Sequence, residues 1–170
     1  MPSLGLKGAD LMCAAPTSLT LVMTDMRLSF PSDEELLSAI RGHHIGDQPL
    51  CGFAREFGIL HEQLLETAAA HAEIARRRDE LAVEVDTWVA ARLPVPHPNA
   101  SLHTETVGRL LDRIAEAQVH AYRLLMTISP DDPRVHAAWY RLAELVDGYT
   151  DLTREVIQRA RRLPALGDRR

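Results

Sequence analysis

From Ser32 onward, apolar residues recur at helical rather than strand spacing. Ser32-Asp33-Glu34-Glu35 has the form of a capping box, in which the Ser hydroxyl takes an orphan N–H and Glu35 reaches back to the cap. It predicts a short helix to Arg41, stopped by Gly42, with His43-His44 in a loop that also holds Gly46 and Asp47. Pro49, which has no N–H to leave unpaired in a first turn, opens a second helix. Its apolar face is Leu50, Phe53, Ala54, Phe57, His61, Leu64, Leu65 and Ala68. Ile74, Leu81, Val85, Trp88 and Val89 mark a third helical stretch ending near Leu93. The two stripes are out of phase by more than a quarter turn. Either a break lies near Thr67–His71, or one helix roughly 50 Å long meets two sets of partners. The good helix formers Ala68–Ala70, with no Gly or Pro nearby, favour a continuous or gently kinked helix.

Pro94, Pro96 and Pro98 end that stretch, and Pro94–Leu102 is expected to be extended. A fourth helix is predicted from about Thr104 to Ile128, with Val107, Leu110, Leu111, Ile114, Ala121, Leu125 and Ile128 facing the core. Ser129-Pro130-Asp131-Asp132-Pro133 supplies a turn, an Asp cap and a first-turn proline. The fifth helix carries Val135, Trp139, Leu142, Val146, Tyr149, Thr153 and Ile157 on one face and stops before Pro164. No strand-like alternation follows residue 31. The expected fold is therefore all-α, an up-down helical bundle of four to five helices with a flexible N-terminal leader. Residues 1–31 form the leader, 32–164 the bundle domain and 165–170 a basic tail. Ser18–Phe30 is too short to span a bilayer and lacks the pattern of a secretory signal. A flexible leader is the preferred reading; a strand pairing in a dimer and a start site placed too early are the alternatives. The lack of a targeting segment points to the cytoplasm.

Composition narrows the classes. The 170 residues carry a net charge of −5, with 46% hydrophobic and 5% aromatic residues. That suits one soluble domain and excludes a disordered chain. No apolar run is long enough to cross a membrane. The acidity argues against a generic nucleic-acid binder. Two cysteines cannot build a disulfide framework or a four-thiolate zinc site. Lys7 is the one lysine among 19 basic residues, an arginine usage typical of GC-rich genomes.

The fourth helix holds the main candidates for chemistry. Glu105 and Asp112 stand seven apart, so on a helix they share a side, opposite the apolar stripe and beside Glu116 and Arg123. Spacing alone fits a solvated polar face. It also fits a polar interior where paired carboxylates bind a cation or move a proton. Gly108, costly inside a helix, suggests a close-packed neighbour or a ligand. His61 lies on an apolar face, which more often means a satisfied core residue than a ligand. Arg77 and Arg78 flank the third stripe, so one could turn inward and hold an anion; surface pairing with carboxylates is the plainer reading. The C-terminal arginines, Arg159, Arg161, Arg162, Arg169 and Arg170, suit a helix end and a solvated tail. Tyr140, His136 and Asp147 follow one edge of the fifth helix and would join Glu105 and Asp112 if the helices pack together. Glu116 and His120 share a face, but neither paired Glu-x-x-His nor His-Glu-x-x-His occurs, so no metal ligands are assigned.

Leu60-His61-Glu62, Arg77–Asp79, His103-Thr104-Glu105-Thr106-Val107-Gly108 with Asp112-Arg113, and His120-Ala121-Tyr122 together resemble a bacterial family, domain of unknown function 4254. The resemblance covers about Pro49 to Leu163, and Thr104, Glu105, Thr106, Gly108, Asp112 and Arg113 are its most specific part. It implies a small helical protein without an assigned reaction and gives weight to Glu105, Asp112 and Arg113 as a group. A looser similarity, Arg77-Arg78 with Glu84, is to all-helical chorismate mutases; its spacing is generic. Three readings follow. The first is a site for an anionic small molecule, with Glu105 and Asp112 as catalytic groups and Arg113, His61, Arg78 and Tyr140 as ligand contacts; its cofactor is unknown. The second is a helical interaction module or homodimer, and the third is a metal-binding bundle.

Overall fold

The computed structural model describes residues 28–43, 46–66 and 70–165. Five helices carry the fold: α1 (Asp33–Ile40), α2 (Pro49–Glu66), α3 (His71–Ala90), α4 (Val107–Thr127) and α5 (Pro133–Ile157). Two-residue strands β1 (Ser101–Leu102) and β2 (Arg161–Arg162) pair in parallel, and apart from this clasp the fold of the described residues is all-α. No helix among the described residues is long and apolar enough to cross a membrane.

Helix ends follow their local chemistry. The capping box is formed at α1, with Glu35 N–H donating to Ser32 Oγ at 3.2 Å and Ser32 N–H to Glu35 Oε2 at 2.8 Å. Gly42, at φ +78°, closes α1: its N–H reaches Ala39 O at 2.8 Å, and His43 N–H reaches Ser38 O at 2.9 Å. The same closure ends α5, where Arg159 takes the left-handed position at φ +65°. A non-glycine residue there costs about 1 kcal/mol. Arg159 is held by bonds a glycine lacks, since its Nε donates to Val95 O.

The continuous second-to-third helix is corrected. A single helix would separate residues 56 and 77 by about 31 Å, yet Arg77 Nε donates to Glu56 Oε1 at 2.7 Å. The chain doubles back, so α2 and α3 lie side by side; residues 67–69 of the connection lie outside the described residues. α4 is the central helix, packed against α2, α3 and α5. Leu36, Leu50, Phe57, Leu81, Val85, Leu111, Ile114 and Tyr149 fill the core. On α5 the buried face drifts from the predicted stripe: Leu152 and Val156 are buried and Ile157 is exposed.

The predicted leader overlaps the packed domain. Leu28 and Phe30 lie against the core, and Phe30 meets Tyr149 edge to face at 6.4 Å. Tyr149 Oη donates to Pro31 O at 2.8 Å, and burial pushes this phenol's pKa up. The bundle thus begins by Leu28; residues 1–27 and 166–170 lie outside the described residues.

Candidate functional site

Asp112 lies in the middle of the bundle, 4% exposed, although it belongs to the polar set predicted on α4. Arg78 of α3 grips it with both arms, Nε to Oδ1 at 2.8 Å and Nη2 to Oδ2 at 2.7 Å. His61 of α2, 5% exposed, places Nε2 2.9 Å from Oδ1. Burial alone would raise the Asp112 pKa, but the hydrogen bonds from His61 and Arg78 outweigh it and hold the carboxyl below its ordinary value. The same carboxylate raises the pKa of Arg78. An ionised carboxylate only accepts, so His61 Nε2 carries the proton and Nδ1 is the basic nitrogen. A buried ion pair adds little stability over well-packed apolar residues. Its presence in a helical core is therefore a functional-site signal.

The α3–α4 crossing explains Gly108. A Cβ there would stand 2.3 Å from the Ala82 carbonyl oxygen, so only glycine allows the helices this close. Gly108 N–H, in the first turn of α4, donates to buried Asp86 at 2.7 Å, while Thr106 Oγ1 accepts from Arg109 N–H. Glu105 is not on the helix: it precedes the Thr106 cap. Its seven-residue relation to Asp112 is therefore not one of helix periodicity, although both residues line the same groove. Glu105 instead pairs with Arg113 at 2.8 Å, and Arg109 with Asp79 at 2.7 Å. Both pairs flank an open groove of about 1050 Å³ that includes His103, Thr104 and the edge of Asp112.

Two further clefts open along α4. One, about 770 Å³, is walled by Leu64, Ala117, Val119 and Ala138 and carries His61, Glu116, His120, Arg134 and Arg141. The other, about 580 Å³, shares Leu65 and Val119 with it and reaches Gln118, Tyr122, Arg123, Arg41 and Glu62. Gln118 is 2% exposed, and its Nε2 has no hydrogen-bond partner. Such an unpaired buried group costs about 1–3 kcal/mol.

Of the residues singled out from sequence, His61, Arg78 and Asp112 come together. Glu105 and Arg113 pair with each other and line, together with Asp112, the groove. Arg78 turns inward as one expectation had it, but its fork is occupied by Asp112 and is not offered to a ligand. Tyr140 is 73% exposed on α5 and lines none of these three cavities, so it does not join Glu105 and Asp112. Arg76 pairs with Glu73 and Glu80, and Arg77 with Glu56 and Glu84, on the surface. Among the described residues, no group of three or more His, Cys, Asp or Glu is placed to hold a metal ion. Sequence reading passed over Asp86 and Gln118. Both carried a signal: Asp86 falls between Val85 and Val89, and Gln118 stands four residues after Ile114, on buried helix faces.

Fold and site define a helical-bundle protein in which three helices converge on a buried, ionised Asp112 that positions a histidine at a cleft. The chain belongs to the family described as protein of unknown function, DUF4254, which matches residues 51–165. No curated protein and no solved structure matches it.

Proposed function

We propose that the protein binds a small anionic molecule in the cleft beside His61 and moves a proton on it. The observation that supports this reading is the chain Arg78–Asp112–His61, which ends at the cleft wall. In it, His61 is the catalytic base through Nδ1. Asp112 fixes its tautomer and would stabilise the imidazolium formed on proton uptake, as a carboxylate behind a histidine does in other acid–base sites. Arg78 keeps Asp112 ionised and oriented. Asp112 and Arg78 are thus positioning residues. Arg141, which lines the cleft from α5, faces the substrate's anionic group, and Leu64 and Ala138 give the cleft an apolar wall. Glu105 and Arg113, paired with each other on the groove that Asp112 also lines, stand outside this step. This reading takes the protein as a cytoplasmic enzyme.

The test is a thermal-shift panel of small carboxylates and phosphate esters on the wild type, His61→Asn and Arg141→Ala. A ligand at 100 times its dissociation constant stabilises the native state by about 2.7 kcal/mol. At least one compound is expected to raise the wild-type Tm by several degrees and to lose that effect in Arg141→Ala. His61→Asn should keep binding and abolish turnover followed by NMR. A panel without a single Arg141-dependent shift would overturn the reading.

A further inference from the structure

The cleft over Gln118 is distinct from the His61 chemistry, touching it only through the shared wall of Leu65 and Val119. Gln118 supplies an observation independent of the cavity itself. It is 2% exposed, lines the cleft, and among the described residues is the one buried side chain with a polar atom, Nε2, left without a partner. A core position four residues after Ile114 would be filled more cheaply by a leucine or methionine. The amide Nε2 is closed off in this structure, so a partner in the cleft meets it once the Gln118 side chain turns towards the opening.

The surrounding groups restrict that partner. An amide presents a donor and an acceptor side by side, and so matches the edge of a nucleobase or a similar lactam heterocycle. Tyr122, half exposed on the cleft wall, offers an aromatic face for stacking. Arg41 and Arg123 suit a phosphate, and the carboxylate of Glu62 suits ribose hydroxyls. We infer that this cleft is a nucleotide-binding site in which Gln118 reads the base edge, Tyr122 covers its face and the two arginines hold the phosphate.

Isothermal titration of the full chain tests this with adenosine monophosphate, uridine monophosphate, ribose 5-phosphate and inorganic phosphate as probes. At least one nucleotide is expected to bind at least tenfold more tightly than ribose 5-phosphate, and phosphate alone should bind more weakly still. Gln118→Met, close in shape but lacking the amide, should lose that tenfold preference. Arg123→Gln should weaken the nucleotide and ribose phosphate together. Gln118→Met is also expected to raise the Tm, because it removes an unpaired buried group, and a raised Tm with lost binding separates recognition from misfolding. Equal affinity for nucleotide and ribose 5-phosphate, absence of nucleotide binding, or unchanged binding in Gln118→Met would each overturn the assignment. Each of these readouts is independent of Arg141 and His61, so failure here leaves the proton-transfer reading standing, and the reverse also holds.

Discussion

At the scale of single residues, Asp112 dominates. Its carboxylate is shared by Arg78 and His61, so replacing it with Asn leaves the Arg78 guanidinium without its counter-charge. Removing one partner of a buried pair costs about 3–5 kcal/mol. Arg78 keeps partial access to water, which places Asp112→Asn near the lower end, about 3 kcal/mol by urea denaturation. The pH dependence follows from the lowered Asp112 pKa. A carboxyl depressed in the folded state contributes fully above its unfolded value, about pH 4, and loses that contribution as pH falls through the folded value. Wild-type stability should therefore fall more steeply below about pH 4 than that of Asp112→Asn; parallel curves would show that the pair does not link to protonation. Asp112, Arg78 and His61 were each visible in the sequence as candidates. Their union was not, because helical periodicity ranks residues by face and says nothing of which face meets which. Gln118 shows the opposite case: a polar residue in an apolar stripe was a legible irregularity that drew no attention.

Among the elements, the α3–α4 contact has the narrowest tolerance. Alanine normally gains about 1 kcal/mol over glycine inside a helix. At Gly108 the added methyl meets the Ala82 carbonyl oxygen at 2.3 Å, a backbone atom that cannot rotate aside. Overpacking of this kind costs about 1–3 kcal/mol. Gly108→Ala should thus destabilise the protein and weaken the Gly108–Asp86 hydrogen bond, read as a lower denaturation midpoint and faster exchange of the residue 108 amide. A midpoint equal to the wild type would mean that the helices separate without penalty. Caps and stops at this scale were well marked in the sequence: Ser32 with Glu35, Gly42, and Asp132 before Pro133 all stand where the helices begin or end. Strong formers at Ala68–Ala70 misled, because propensity favours a continuing helix by tenths of a kcal/mol per residue while burial of two apolar faces outweighs it.

For the whole molecule, α4 is the shared partner and the C-terminal strand the fastening. β2 pairs with β1, and the backbone bonds His97 N–H to Arg159 O and His103 N–H to Arg162 O, both 2.9 Å, tie the end of α5 to the segment that leads into α4. Arg161 reinforces this by pairing with Glu155 at 2.7 Å. Truncation after Gln158 removes the clasp and the partly buried Leu163. At about 1 kcal/mol per backbone bond plus the apolar area, the loss is roughly 3 kcal/mol, seen as a lower Tm by calorimetry; an unchanged Tm would make the clasp ornamental. Such parallel pairing of residues 60 apart leaves no trace in local sequence. The all-α class and the bundle did, because four amphipathic stripes and a capped short helix allow little else. The buried polar chain also bears on how the protein assembles. Its members stand 51 and 34 residues apart, so neither bond exists until the α2–α3 pair has closed onto α4. Interactions that form after the rate-limiting barrier act on the reverse reaction. Asp112→Asn is thus expected to speed unfolding more than it slows folding, read from the two arms of a chevron.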